Sequence, residues 1–481
     1  MGLITTIKRW LSMFFRSEAE QAFDVDVIES PIMDTVIKKS AAVYSGEPMW
    51  KDAQNGIRTI NFAKTLSSET ARLATLAIKI TIEGSARAEW LQKQTDAVFF
   101  SIRKWVEYGC AYGTVVIKPN GKTLDVFTPD EVLITDYDNQ NITGMIFKDT
   151  YTQGKWYYTR LEYHRFAEEK QGEETVRPYY ISNRAYRSKS PDSIGDPVAL
   201  KDTKWSELMA DSPPILKANG ESLDGPMFGV FVTPQANNVD KSTPLGLPVY
   251  AEALEELKDL DIAYSRMTGE INDSERIVLA DDRLLSPAGT PVNKVNPGAA
   301  ATKNLPKYVR NVYGDGPDSF YQEINPTLNT EVRVKGINAL LSQIGYKAGF
   351  SNGYFVFDQK TGMVTATQVE SDDRRTIQYI KDVRDQLEKC MDAVYYALSV
   401  YADLYGESPA GEYEVTYDFG DITYNREEDR ARWWNYVNAG KVPAWMYFVK
   451  FEGFSEEDAK AMVEEATPKE DELFDSKYKE E

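Results

Sequence analysis

Apolar and polar positions alternate along the chain in two periods, which divide it into helical and extended stretches. Over residues 57–79, Phe62, Leu66, Leu73 and Leu76 recur at helical spacing and run into an extended segment at 78–82. A second helix is predicted over 87–109, where Leu91, Val98, Ile102 and Trp105 share a face. From Tyr112 the period shortens to two. Residues 115–118, 124–127, 132–135, 142–148 and 156–164 read as strands of a meander, with hairpin turns at Asn120-Gly121 and 136–141. The proline-rich stretch 187–247 reads as loop. Tyr250, Leu254, Leu257, Leu260, Tyr264, Met267 and Ile271 then predict a helix over 247–272, and Val334, Ile337, Leu341 and Ile344 predict another over 330–348. Between them, 273–329 is rich in Pro, Gly, Ala and Asn and reads as an irregular insert.

Thr367 through Glu370 spell a capping box, and apolar positions recur from Ile377 to Tyr401. They predict a rod of about 38 residues, roughly 57 Å long, which needs burial along its length. A strand over 413–419 and short helices near 426–438, 443–450 and 456–466 complete the pattern. Helices segregated from a meander make the fold class α+β.

Composition narrows the function. The 481 residues carry 55 Lys and Arg against 75 Asp and Glu, a net charge of −20, with 42% hydrophobic residues. The length predicts about three structural units, and the apolar content excludes a disordered chain. The acidity argues against coating the outside of a duplex, though not against surrounding one without gripping it. With His164, Cys110 and Cys390 as the entire His and Cys content, His/Cys zinc sites, His-based triads and a disulfide framework have no material.

Residues 1–24 form an amphipathic segment in which Leu3, Ile7, Trp10, Leu11 and Phe14 share a face beside Lys8, Arg9 and Arg16. It lacks a signal-peptide core. It reads first as an element docking on another part of an assembly and second as a membrane-surface contact, Gly2 and Thr6 fitting a short myristoylation pattern. No stable membrane association is expected, since no apolar run approaches a span.

Several motifs fail. Gly121-Lys122-Thr123 suggests a phosphate loop, but Val116 stands where the first glycine belongs and the triplet lies in a hairpin. The run from Asp136 to Asn141 lacks the sharp-turn glycine of a calcium loop. His164 sits in an aromatic strand, where a structural role is expected. No isolated carboxylate pair supports acid–base chemistry. Neither a catalytic residue nor a cofactor or metal is assigned.

The charge is uneven. Residues 283–310 hold Arg283, Lys294, Lys303, Lys307 and Arg310 and no acid, whereas 452–481 hold twelve acids against four lysines. The basic island is either a solvated loop or a collar for phosphate or an acidic partner.

Ordered blocks along the chain carry a resemblance. These are Asn61 through Arg72, Glu107-Tyr-Gly-Cys-Ala-Tyr-Gly113, Thr128-Pro129-Asp130 before the Asp136 turn, Phe355 through Asp358, and Thr365-Ala-Thr367 before the long helix. In this order, with a helix–insert–helix unit before the last two blocks, the chain resembles portal proteins of long-tailed bacteriophages, especially those of phages infecting Gram-positive bacteria. The resemblance implies a ring, typically of twelve subunits, at one capsid vertex of the virion, assembled in the host cytoplasm. It implies a wing at 25–246 and 367–424, stem helices at 247–272 and 330–349, a clip at 273–329, a tunnel loop at 350–366 and a crown with an acidic tail at 425–481. Implied partners are other copies of the chain, double-stranded DNA in the channel, the terminase large subunit, head-tail adaptor or connector proteins, and major capsid and scaffolding proteins. Gln359, Lys360 and Thr361 then become DNA contacts in the tunnel loop, whose Asn352, Gly353 and Gly362 would permit movement, and the basic island becomes a docking site for motor or adaptor. Glu252, Glu255, Glu256 and Asp259 on the first stem helix, with Asp261 and Glu270, face either DNA or solvent. Arg333, Lys335 and Lys347 on the second either pair with a neighbour's acids or meet phosphate. Two other readings stand beside this one: another ring-forming connector or adaptor, and a packaging enzyme.

Overall fold

The structure, a computed structural model, describes residues 15–466 except 29, 122, 140, 172–173, 192, 274–276, 282–308, 313–320, 325–327, 357–365 and 421–425. The chain divides at residues 419/420 into two compact units rather than the three that length suggests.

The first unit begins with helix α1 (15–23) and α2 (Pro31–Tyr44). Ser30 caps α2 by accepting the Met33 N–H (3.3 Å), and Pro31 stands at its first position, where a missing N–H costs nothing. Next come α3 (Phe62–Ala74), β1 (Lys79–Gly84) and α4 (Ala86–Tyr112). The helix expected from residue 57 starts only at Phe62, because Asn61 is left-handed (φ 52°) and stops it extending backwards.

Two sheets then form a layered core. The larger is ordered β10-β9-β6-β5-β4, from β4 (Val132–Asp138), β5 (Asn141–Gln153), β6 (Trp156–Phe166), β9 (Tyr179–Ser188) and β10 (Asp196–Val198). The smaller is ordered β11-β2-β3, from β2 (Thr114–Pro119), β3 (Leu124–Phe127) and β11 (Gly229–Val232). A short hairpin, β7 (Glu169–Gln171) with β8 (Glu174–Val176), precedes β9. Alternation along β5 puts Ile146 on one face, with Leu161 and Tyr186, against Phe15 and Ala19 of α1. Met145 and Phe147 point the other way, onto Val116, Phe127 and Phe228 of the smaller-sheet side. The C-terminal end of the amphipathic segment therefore docks on its own subunit; residues 1–14 lie outside the described residues.

A charged network is buried between the sheets. Lys118 reaches from β2 to Glu162 (2.8 Å), which also accepts from Arg160 (2.7 Å) and faces His164 Nε2 (2.9 Å). The Glu162 carboxylate can only accept, so the neutral imidazole carries its proton on Nε2, and Nδ1 accepts from the Tyr179 hydroxyl (2.8 Å), which itself accepts the Met227 N–H (3.1 Å). His164 is structural, as its setting suggests.

Helix α5 (Leu254–Asp273) and α6 (Thr330–Lys347) flank the insert, which is not irregular throughout. Strand β12 (Ile277–Asp281) pairs parallel with β13 (Val309–Val312) and antiparallel with β14 (Tyr321–Ile324). Each strand has four or five residues, too few for alternation to register in a Pro- and Gly-rich sequence.

The rod is α7 (Ala366–Tyr405), 40 residues and so about 60 Å long. Thr367 lies inside its first turn rather than at the cap, the helix starting at Ala366, a strong helix former, two residues earlier than that capping box implies. Val383, Leu387, Met391, Val394 and Leu398 are buried, α7 packing on α3, α4, β2 and β11. Strand β15 (Tyr413–Asp418) returns to pair with β1. Within the second unit, α8 (Arg426–Asn438), α9 (Ala444–Tyr447) and α10 (Glu456–Ala466) gather around Trp433, Trp434, Tyr447 and Phe451, with the Arg430 guanidinium bonded to Tyr447 (2.7 Å) and Glu452.

Candidate functional site

The helices α5 and α6 run antiparallel and are laced at both ends. At one end Lys347 Nζ lies 2.5 Å from Glu256 Oε1 and donates to the Glu252 carbonyl (3.0 Å), and Gln343 also donates to Glu256 (3.2 Å). Burial alone would raise the Glu256 carboxyl; the Lys347 ammonium holds it below its ordinary range. At the other end Glu270 accepts the Asn329 N–H (2.9 Å) at the start of α6 and pairs with Arg333.

The acids of α5 whose side chains are described, with Glu252 in the turn before it, separate into three groups. Glu256 and Glu270 are neutralised by α6. Asp261 is 4% exposed and accepts from the Trp50 indole (2.8 Å) and the Ile60 N–H (3.0 Å). The Ser265 hydroxyl accepts the Arg58 N–H (2.9 Å), so residues 50–60 form a strap across α5. Glu252, Glu255 and Asp259 remain exposed, with Lys258 3.8 Å from Glu255. At 100° per residue, Glu255, Asp259 and the exposed Arg266 fall within about 40° of arc.

This changes the expected role of the second helix. Arg333 and Lys347 do not wait for a neighbour or for phosphate, because acids of their own chain already occupy them. Lys335 is exposed and has no ion pair among the described residues. Of the basic island, Arg310 stands on β13 opposite Leu279; Arg283, Lys294, Lys303 and Lys307 lie outside the described residues.

Gln359, Lys360, Thr361 and Gly362 also lie outside them. The start of that loop is pinned rather than loosened by its turn residues. Phe350 is buried against Tyr354, Phe355 and Tyr379, and the Ser351 N–H donates to Thr376 (2.8 Å). Asn352 bonds Ser342, whose hydroxyl also accepts the Gly353 N–H (3.1 Å).

The rejected motifs keep their plain readings. Asn120 and Thr123 close the β2–β3 hairpin through an N–H to carbonyl bond of 3.0 Å, Lys122 being outside the described residues. Asn139 (φ 56°) turns the β4–β5 hairpin, while Asp136 accepts from Thr143 (2.9 Å). Cys110 and Cys390 are free and buried.

The strap escaped the sequence reading, yet a signal for it existed. Asp261 stands four residues after Leu257 and three before Tyr264, inside the apolar stripe of α5, where a carboxylate needs donors from another segment.

A family model described as "Phage portal protein, SPP1 Gp6-like" matches residues 38–471. The chain belongs to this family. No curated protein matches the chain. It is a phage portal ring protein, a structural component of the capsid vertex through which DNA is packaged. No helix among the described residues is long and apolar enough to cross a membrane.

Proposed function

We propose that this portal ring has twelve subunits and that α5 and α6 form the stem lining its channel, with Glu252, Glu255 and Asp259 turned toward passing DNA. The observation that carries the reading is the neutralisation of Arg333 and Lys347 of α6 within the chain, which removes two cations from the helix pair while Glu252, Glu255 and Asp259 stay exposed. Acid facing phosphate lowers adhesion to a moving duplex, whereas a ring of uncovered cations would hold it through counterion release. Twelve copies at −20 each would carry −240.

The remaining assignments follow the same plan. Residues 25–246 and 367–424 form the wing, 273–329 the clip, 350–366 the tunnel loop and 425–481 the crown and tail. Lys360, with Gln359 and Thr361, gives one weak DNA contact per subunit, multiplied around the ring. Arg283, Lys294, Lys303, Lys307 and Arg310 dock the terminase large subunit during packaging and head-tail adaptors afterwards. The wing meets major capsid and scaffolding proteins, the phage is long-tailed with a Gram-positive host, assembly takes place in the host cytoplasm, and the chain has no catalytic role.

Packaging in vitro tests the channel. Glu255→Lys with Asp259→Lys is expected to leave rings intact in negative stain and to slow DNA passage several-fold at low salt, with recovery as salt rises. Unchanged passage at low salt refutes an inward acidic face. Lys294, Lys303 and Lys307 changed to Glu should spare rings and impair motor docking; normal docking removes the island from that role.

A further inference from the structure

We propose that the outward ridge of α4, formed by Lys93, Ala97, Phe100, Lys104 and Tyr108, seats on the acidic ridge and adjoining groove of α7 in the next copy of this chain. This inference rests on the ring reading and assigns the two surfaces that would make one of its repeated contacts.

The ridge is a single helical face. Spacings of four, three, four and four residues stack these side chains over 16 residues, about 22 Å. Phe100 is 92% exposed and Tyr108 is exposed as well. The helix cannot roll to hide them, because its opposite face is committed: Leu91, Thr95, Ile102, Trp105 and Val106 are buried, and Gly109 sits against the Phe231 ring so closely that a Cβ would lie 2.3 Å away. Lys93 and Lys104 are exposed and make no ion pair among the described residues. An aromatic ring between two free ammonium groups matches a surface that is apolar and acidic together.

Helix α7 carries such a surface. Asp385, Glu388 and Asp392 lie on one helical face, Asp392 accepting from the Tyr417 hydroxyl of its own chain (2.7 Å), and the half-buried Glu388 carboxyl is raised, first by burial and then by its two acidic neighbours. Each of these acids immediately precedes a residue that lines an adjoining groove of about 860 Å³: Gln386, Lys389 and Ala393. Across the groove stand Phe228, Val230 and Val232, the last two on β11, an edge strand of its sheet. Lys381 and Lys389 flank the three acids and Arg177 and Lys241 line the far side of the groove, so the complement to the Phe100 ring and its lysines is the apolar wall with the ridge of Asp385, Glu388 and Asp392. A closed ring built from one head-to-tail contact needs two such different, mutually complementary surfaces on each subunit.

Charge reversal tests the pairing. Lys93→Glu with Lys104→Glu, and separately Asp385→Lys with Glu388→Lys, should each abolish rings of the purified full chain in sedimentation and negative stain. Circular dichroism and thermal unfolding should stay as in the wild type. An equimolar mixture should form rings again, because in alternating order both kinds of contact are opposite-charge pairs. Phe100→Ser should raise the concentration needed for assembly at least tenfold. Rings from either double variant alone, or a mixture of folded variants that stays unassembled, overturns the proposal while leaving the ring reading standing. A wild-type chain that never assembles overturns the ring reading itself. Intact variant rings that fail only to enter capsids would give the ridge to a capsid partner and also overturn the proposal.

Discussion

Lys347 and Glu256 meet at 2.5 Å where the last turn of α6 passes the first turn of α5, and the same ammonium reaches the Glu252 carbonyl. One lysine thereby closes the helix pair and removes a cation from its surface. Glu256→Gln is expected to cost about 0.5–1 kcal/mol of stability, the pair being partly exposed. It should also slow DNA passage at low salt by uncovering one ammonium per subunit. Lys347→Met in the same background should restore passage without restoring stability, and thermal melts with packaging rates would read the two effects separately.

Asp261 is the anchor of the 50–60 strap, with the Trp50 indole and the Ile60 amide as its donors. Asp261→Ala leaves both donors unpaired beside a buried site and should cost about 2–3 kcal/mol. The release should be local: hydrogen exchange at Arg58 and Ile60 is expected to speed up before the sheets exchange. Unchanged protection at those amides would show that the strap is held by other contacts.

Gly109 and Gly113 explain part of the block that marks the family resemblance. Gly113 closes α4 in the left-handed region (φ 84°), and a Cβ there would lie 2.4 Å from the Gly246 carbonyl oxygen. Gly113→Ala therefore meets conformational strain and a backbone clash together and should cost about 3 kcal/mol or more. Gly56→Ala, also left-handed (φ 72°) but in open space, should cost about 1 kcal/mol. Similar unfolding midpoints for the two variants would contradict the role given to the close approach.

What the sequence made legible follows from physical redundancy. The rod of α7, the α5 stripe and both hairpins were readable because apolar period, turn residues and length agree. Strand β9 was not. Its buried positions include Ser182 and Asn183, whose partners come from residues 209–212, so burial there does not appear as hydrophobic alternation. Helix α2 has a legible start in Ser30-Pro31, a capping serine followed by a first-turn proline. The charges of α5 and α6 were legible as residues but not as pairs, since Glu270 and Arg333 are 63 positions apart and meet only after the insert returns the chain.

The buried network around Glu162 gives a pH dependence with a definite sign. Burial pushes the His164 imidazole below its ordinary pKa of 6.5, and the neighbouring Lys118 and Arg160 charges add to that against the opposing pull of Glu162. Burial would raise Glu162, but Lys118 and Arg160 overcome it and hold the carboxyl well below the usual range. In both cases the folded chain binds protons later than the unfolded chain as pH falls. Their stabilisation is therefore present in full above about pH 6.5 and is lost on acidification, first through His164 and then, below about pH 4.5, through Glu162. One proton limits the first slope to about 1.4 kcal/mol per pH unit. The chain has a single histidine, so between pH 6.5 and 5.5 the difference in urea midpoint between wild type and His164→Gln isolates this group. The glutamine can still donate to Glu162 and accept from Tyr179 without titrating, so its midpoint should fall less than the wild type's over that interval. Parallel midpoints would show that His164 has the same pKa folded and unfolded. Lys118→Met removes one of the two charges that hold Glu162 ionised in a site where Lys118 is 1% exposed, and should cost about 3–5 kcal/mol at pH 7.5. Part of that loss should return on acidification, because without Lys118 burial raises the Glu162 carboxyl and it protonates at a higher pH in the folded variant than in the folded wild type.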